Sequence, residues 1–401
     1  MHVFKKGSYL YYALSSGMFY FAWGVFYCMM SVYLAGIGCS STQISLITSA
    51  APLFAMVTQP ICGMLADRYR SPKKVGVICL MLSLITGYGF AMTKNFLLLF
   101  LFNGFAQGFL YGATPLSDRL ATGSRYPFGS IRIWGSVCYA VACQVTGIVY
   151  DQFSPYAIYD LFYAAMFLAV IGFLGMHDTK PEKKEETTFS KEEIKRALFK
   201  NKPFVMFVLI FILFQGPTTA NGVYMPLLIT HMGGNASMIG TTLLLATLFE
   251  MPAVLFSDSI IRRIPYRFLM IFACLISIIR FVWYATCPPA KLIMSMFFFQ
   301  GLTSIVFTLV AVRIIIDIVD SRYVNTAYGI SSMLARGLSA LAFQMLSGVI
   351  FDHVPGNQGY MIVYLIYALT ILFALILAIR FKMPEHTIHY VMPEQRKMPE
   401  Q

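Results

Sequence analysis

Residues 177–203 read HDTKPEKKEETTFSKEEIKRALFKNKP, the only long polar stretch between apolar runs in the chain. It mixes eight basic with six acidic residues, and Ser190-Lys191-Glu192-Glu193 has the capping-box spacing that starts a short helix. Hydrophobic runs of about twenty residues recur on both sides of it, each long enough to cross a ~30 Å hydrocarbon core. Windows of about nineteen residues place spans near 8–35, 42–66, 75–93, 96–118, 130–150 and 156–176 before it. After it they fall near 204–231, 237–257, 268–287, 291–316, 326–350 and 360–381. The segment therefore reads as a linker between two sets of six.

Outward from the linker, the chain divides into an N-terminal six-helix bundle (1–176), the linker loop (177–203), a C-terminal six-helix bundle (204–383) and a disordered tail (384–401). An even number of spans per half starts both halves on the same side. The halves are then parallel copies related by an axis along the membrane normal, an architecture of transporters. Composition agrees, because 58% of the 401 residues are hydrophobic and 12% charged, against roughly 45–50% and about 25% in a soluble domain. Met1 to Gly7 alone precede the first run, so the first helix is expected to act as its own insertion signal. Six cysteines, Cys28, Cys62, Cys79, Cys138, Cys143 and Cys274, fall inside apolar runs, where a thiol behaves as a small hydrophobe. No disulfide framework, metal site or cofactor is expected.

Positive residues near span ends are retained in the cytoplasm. Of 30 Lys and Arg, we assign 24 to the side of the linker and two, Lys94 and Lys291, to the other, with Arg132, Arg280, Arg313 and Arg336 inside or at the edges of spans. Both termini are then cytoplasmic in a multi-pass cell-membrane protein. The net charge of +12 is accounted for by this bias and needs no nucleic-acid partner.

The loop after the second span reads Gly63-Met64-Leu65-Ala66-Asp67-Arg68-Tyr69-Arg70-Ser71-Pro72-Lys73-Lys74. It resembles the signature loop of the major facilitator superfamily. There, a glycine permits close helix contact, and an aspartate with basic residues forms a charge network across a two-helix seam. The resemblance points to Gly63, Asp67, Arg68, Lys73 and Lys74. The equivalent stretch of the second half, Asp258 to Arg267 with Arg262 and Arg263, keeps acid and base but lacks the glycine. A narrower likeness covers Phe128-Gly129-Ser130-Ile131-Arg132-Ile133-Trp134-Gly135-Ser136-Val137-Cys138-Tyr139-Ala140, with Gln59-Pro60 agreeing. It is similar to the fifth span of the lactose permease and the oligosaccharide and nucleoside proton symporters. The resemblance implies that Arg132 binds substrate hydroxyls or base groups and that Tyr139 stacks on a ring. The fold it implies is all-α, with twelve transmembrane helices in two pseudo-symmetric six-helix bundles.

The residues themselves point the same way. An ionisable side chain at mid-span costs at least ~2.5–3.5 kcal/mol, so it tends to face the bundle interior. Arg132 is either an interfacial anchor or a site residue; its planar fork suits bidentate binding, and Gly129 and Gly135 are expected to let a helix approach. Glu250, two-thirds along the eighth span before Pro252, has no helix-end explanation and is the candidate both for substrate binding and for carrying a proton. Arg280 lies deep in the ninth span and resembles the arginine of the symporters' proton-coupling cluster. The tenth-span lysine, histidine and glutamate of that cluster fall here on Phe297, Gln300 and Thr303, none of which titrates usefully. Gln300 then reads as a hydrogen-bonding group at a cavity wall, with Glu250 and Asp118 as the acids in reach. Asp118 closes the fourth span and faces either Arg132 or its neighbour Arg119. In the seventh span, Gln215-Gly216-Pro217-Thr218-Thr219-Ala220-Asn221-Gly222 is polar and broken, which suits a cavity lining and makes Gln215 and Asn221 candidates.

Two patterns are given no site role. Gly104, Gly108 and Gly112 read as helix-packing glycines. Tyr11, Tyr12, Phe19, Tyr20, Phe21, Trp23, Phe26 and Tyr27 of the first span read as mostly lipid-facing or interfacial. The leading function is a monomeric secondary active transporter that takes a small hydroxylated ring compound (sugar, oligosaccharide or nucleoside) together with a proton. Transport of an aromatic or other organic acid, drug efflux by proton antiport, and a receptor or structural role are the alternatives. The six histidines lie outside the span cores, which argues against a membrane-embedded enzyme.

Overall fold

A computed structural model describes residues 5–178, 198, 200–255, 264–320 and 323–381, without the side chains of 252–255, 297, 304, 305 and 325. Most of the linker, the tail beyond 381 and residues 256–263 lie outside this set, and with them the capping box at Ser190, Arg262, Arg263 and the side chain of Phe297. Among the described residues the chain is all-α. The first half contains α1 (Tyr9–Gly36), α2 (Ser41–Arg68), α3 (Pro72–Met92), α4 (Phe96–Thr122), α5 (Phe128–Gln152) and α6 (Ala157–Gly175). The second contains α7 (Lys202–His231), α8 (Ala236–Leu255), α9 (Tyr266–Ala285), α10 (Ala290–Ile318), α11 (Thr326–His353) and α12 (Asn357–Arg380). Eleven are long and apolar enough to cross a membrane, and α8 adds the apolar stretch Ala236–Met251.

The helix ends lie close to those read from hydropathy, and two differences matter. Helix α4 runs on to Thr122, so Asp118 sits a turn inside it, and α5 begins at Phe128, so Arg132 lies more than one turn from its start. The seventh span is not broken. Helix α7 continues from Lys202 through Pro217 and Pro226 to His231. Around these prolines, Thr218 and Thr230 donate their hydroxyls to the carbonyls of Phe214 and Pro226.

Small residues set the helix spacing. A side chain at Gly104 would press on the Phe54 ring and one at Gly112 on Cys62 Sγ, so this glycine stripe of α4 lets α2 lie close. The expectation for Gly63 and Gly129 is corrected, since both face open space. Of the predicted loop residues, Asp67 and Lys73 make contacts across helix seams. Asp67 accepts from Arg119 of α4 at 2.7 Å, and Lys73 donates to the carbonyls of Leu174 and Met176 at the end of α6.

The two sets of six meet along α5 with α8 and α2 with α11, at the face opposite the linker. A side chain at Gly240 would run into the carbonyl of Cys143, and one at Gly348 into the backbone of Ser41 and Thr42. Each seam is also clasped by an aspartate. The Asp151 carboxylate ends α5 and accepts from the first backbone amides of α8, Ala236 at 3.0 Å and Ser237 at 2.7 Å. The Asp352 carboxylate ends α11 and accepts from the first amides of α2, Ser41 at 2.8 Å and Thr42 at 3.1 Å. Anions are stabilised there because helix N-termini hold unpaired N–H groups and the positive end of the dipole. The next amide of each helix is met by its own cap, Ser40 for α2 and Asn235 for α8. Beneath the α2–α11 clasp, Ser45 and Tyr224 both donate to the carbonyl of Gln344.

Candidate functional site

Below the clasps, the halves enclose a cavity of about 510 Å³. Its first-half wall is aromatic because α1 presents Tyr20, Trp23 and Tyr27 at i, i+3 and i+7, one face of a helix. Tyr20 and Trp23 stack with ring centroids 5.9 Å apart and planes 9° from parallel, and Trp23 meets Tyr111 of α4 edge-on at 4.6 Å. Gly24 admits α5 beside α1, which brings Tyr139 onto the same wall.

Arg132 projects from α5 into this cage. Its guanidinium carbon lies 4.1 Å from the Tyr20 ring centroid, a cation–π contact. The Asp118 carboxylate is 3.8 Å from its Nη1, an ion-pair distance longer than a hydrogen bond, and that nitrogen has no hydrogen-bond partner. The alternative of local pairing between Asp118 and Arg119 is excluded, because Arg119 turns to Asp67. Gly135 clears the way for the Tyr20 ring, so one of the two glycines flanking Arg132 does admit a neighbour.

The second-half wall supplies Gln215, Thr218 and Thr219 of α7, Thr247 and Glu250 of α8, and Gln300 of α10. Helices α8 and α10 come together at Gly301, where a side chain would meet the Ala246 carbonyl and the Glu250 Cγ. Glu250 and Gln300 therefore share one wall. Behind it, the Gln300 Oε1 accepts from Arg280 Nη1 at 3.2 Å and Asn221 Nδ2 at 3.1 Å. Asn221 and Arg280, predicted as a substrate contact and a coupling residue, are thus fully enclosed and reach the cavity through Gln300. Arg280 is 1% exposed, with Nε and Nη2 unpartnered. Thr303 spends its hydroxyl on the carbonyls of its own helix.

The reading of the first span as mostly lipid-facing fails. Tyr12, Phe19 and Phe26 are core residues, and Tyr20, Trp23 and Tyr27 line the cavity. The missed signal was the i, i+3, i+7 stripe, which a span with aromatic residues on every side obscures.

Among the described residues, twelve helices in two sets of six surround a polar, aromatic-walled cavity, the architecture of a membrane transporter. The profile of the MFS_1 like family matches residues 12–362, and the chain belongs to that family. It is 28% identical over 370 residues to the maltose permease of Geobacillus stearothermophilus, covering 90% of this chain and 93% of that protein. It is 24% identical over 351 residues to the probable 3-phenylpropionic acid transporter of Escherichia coli (strain K12), covering 85% and 91%. Among solved structures, a variant of the nucleoside transporter NupG superposes with a TM-score of 0.82 at 18% identity, over 93% of this chain and 99% of that one. That likeness speaks for the fold.

Proposed function

We propose that the chain is a secondary active transporter that carries a small ring compound through the central cavity by alternating access, with a proton as the coupling ion. The observation that carries this reading is the composition of the cavity wall. An arginine fork and aromatic rings come from one half, and a carboxylate and an amide come from the other. A ring stacked on Tyr20, Trp23 or Tyr139 would offer hydroxyl or base acceptors to Arg132 and to the Gln300 amide N–H, whose oxygen is taken by Arg280 and Asn221, and donors to Glu250 and Gln215. The sequence relatives, one named for maltose and one for 3-phenylpropionic acid, agree with a small ring compound.

Arg132→Lys tests the site. It keeps the charge and removes the planar fork, so substrate binding should weaken by about 1.5–3 kcal/mol while membrane level holds. Unchanged transport at saturating and subsaturating substrate would make Arg132 an interfacial anchor only.

In the same proposal the linker side is cytoplasmic, so the clasped face is extracellular and the cavity faces inward. Single cysteines at Lys94 and Gln152 of a cysteine-free variant should react with an impermeant thiol reagent applied to intact cells, and one at Tyr69 should react only after permeabilisation. All three positions are exposed. The reverse pattern would overturn the orientation.

A further inference from the structure

A second cavity, of about 670 Å³, adjoins the first on the α2–α11 side and shares Tyr27, Tyr111 and Thr219 with it. Its one charged lining residue is Arg336 of α11. Around Arg336, α11 departs from α-helical winding, because Met333–Ser339 form a π-helix. Such segments shift side chains out of the regular register and recur at functional sites. The Arg336 side chain is held in place, with Nη2 donating to Thr308 Oγ1 at 2.9 Å and the guanidinium 6.0 Å from the Phe211 ring centroid. Its Nε is buried without a hydrogen-bond partner, and no carboxylate lies within ion-pair distance among the described residues.

Charge balance sharpens this. The two cavities and the wall behind Gln300 carry three arginines, Arg132, Arg280 and Arg336, against one lining carboxylate, Glu250, with Asp118 outside the lining. Asp118 stands beside Arg132, so an excess of positive charge remains on the second-half side whether Glu250 is ionised or neutral. A cation inside a span needs a counter-charge or water-filled surroundings, and Arg336 faces a cavity that shares Tyr27, Tyr111 and Thr219 with the central one. We propose that Arg336 is a second binding point of the substrate site, which receives the carboxylate of an acidic ring compound. The ring itself lies in the cage of Tyr20, Trp23 and Tyr139. This rests on the reading of the central cavity as the substrate site, and narrows its ligand to ring compounds bearing an anionic group, such as sugar acids or aromatic acids. Bidentate binding of a carboxylate by a guanidinium supplies both the charge and the geometry.

The test uses the purified full-length protein in lipid nanodiscs and two probe pairs matched in shape: 3-phenylpropionate with 3-phenylpropionamide, and glucuronate with glucose. Thermal shift against probe concentration gives the affinities. For at least one pair, the wild type should bind the acid ten- to a hundredfold tighter than its neutral partner. Arg336→Gln should bring that ratio near one, and Arg336→Lys should keep part of it. If the neutral member of each pair binds as tightly as the acid, or Arg336→Gln keeps the wild-type ratio, the anion subsite is wrong and the central site stands. If no probe shifts the wild type, and Arg132→Lys also leaves transport unchanged, the parent reading falls with it.

Discussion

Glu250→Gln should abolish uphill accumulation of substrate while leaving equilibrium exchange in place. The glutamine mimics a permanently protonated carboxyl, so every step that releases the proton stops, whereas the loaded carrier can still alternate. At a membrane potential of 100 mV, a proton carried with an uncharged substrate supplies about 2.3 kcal/mol, enough for accumulation on the order of fiftyfold, whereas with an anionic substrate the pair is electroneutral and the pH gradient alone drives uptake; the variant should show no accumulation in either case. The assignment follows from which acids are free. Glu250 faces the cavity beside Gln300, Asp118 is engaged by Arg132, and the described tenth-span positions carry an amide and a hydroxyl. The comparison must be made in the same vesicles, with Arg280→Gln as a companion because Arg280 braces the Gln300 next to Glu250. A parallel fall of exchange and accumulation would mean that Glu250 only binds substrate or supports α8. Full accumulation by the variant would move the proton site to Asp118 or remove it from the mechanism.

The second large effect concerns the clasped face. Each aspartate on a helix start contributes about 1 kcal/mol at an exposed position. Replacing both Asp151 and Asp352 by alanine should shift the balance between the two cavity openings by about thirtyfold, and either alone by about fivefold. A cysteine at Thr219, on the wall shared by both cavities, reports this as its labelling rate by an impermeant reagent from the clasped face. Equal rates in the double variant and its parent would show that glycine packing and the Ser45–Tyr224–Gln344 contacts hold that face shut without the acids.

The span pattern was legible because bilayer thickness prescribes the length of each apolar run, and charges that cost energy in lipid stand out against it. That logic singled out Arg132, Glu250 and Arg280, and the structure places Arg132, Tyr139, Glu250, Gln215 and Gln300 on the cavity lining. It could not tell depth from access. Arg280 and Asn221 are as polar as Gln300, yet they stand behind it, because which face of α9 or α7 meets the cavity depends on neighbours distant in sequence. Arg336 looked like one more edge arginine for a related reason. Its aim depends on a local change of helical winding that no residue type announces. The cage residues Tyr20, Trp23 and Tyr27 were hidden among equally aromatic core neighbours, and Gly63 and Gly129 looked like packing glycines although nothing approaches them.

The clasps share a property that governs how the protein tolerates mutation. In each, one half contributes a carboxylate and the other contributes only main-chain N–H groups, which nearly every amino acid possesses. Positions 41, 42 and 237 can therefore drift among many residue types, proline excepted, without loosening the grip, while positions 151 and 352 cannot, and Ala236 is restricted separately by its burial in the core. The duplicated halves hold each other reciprocally, each as donor once and acceptor once. The tolerance map of this face should accordingly be lopsided within each contact, with intolerant positions 151 and 352 set against permissive positions 41, 42 and 237.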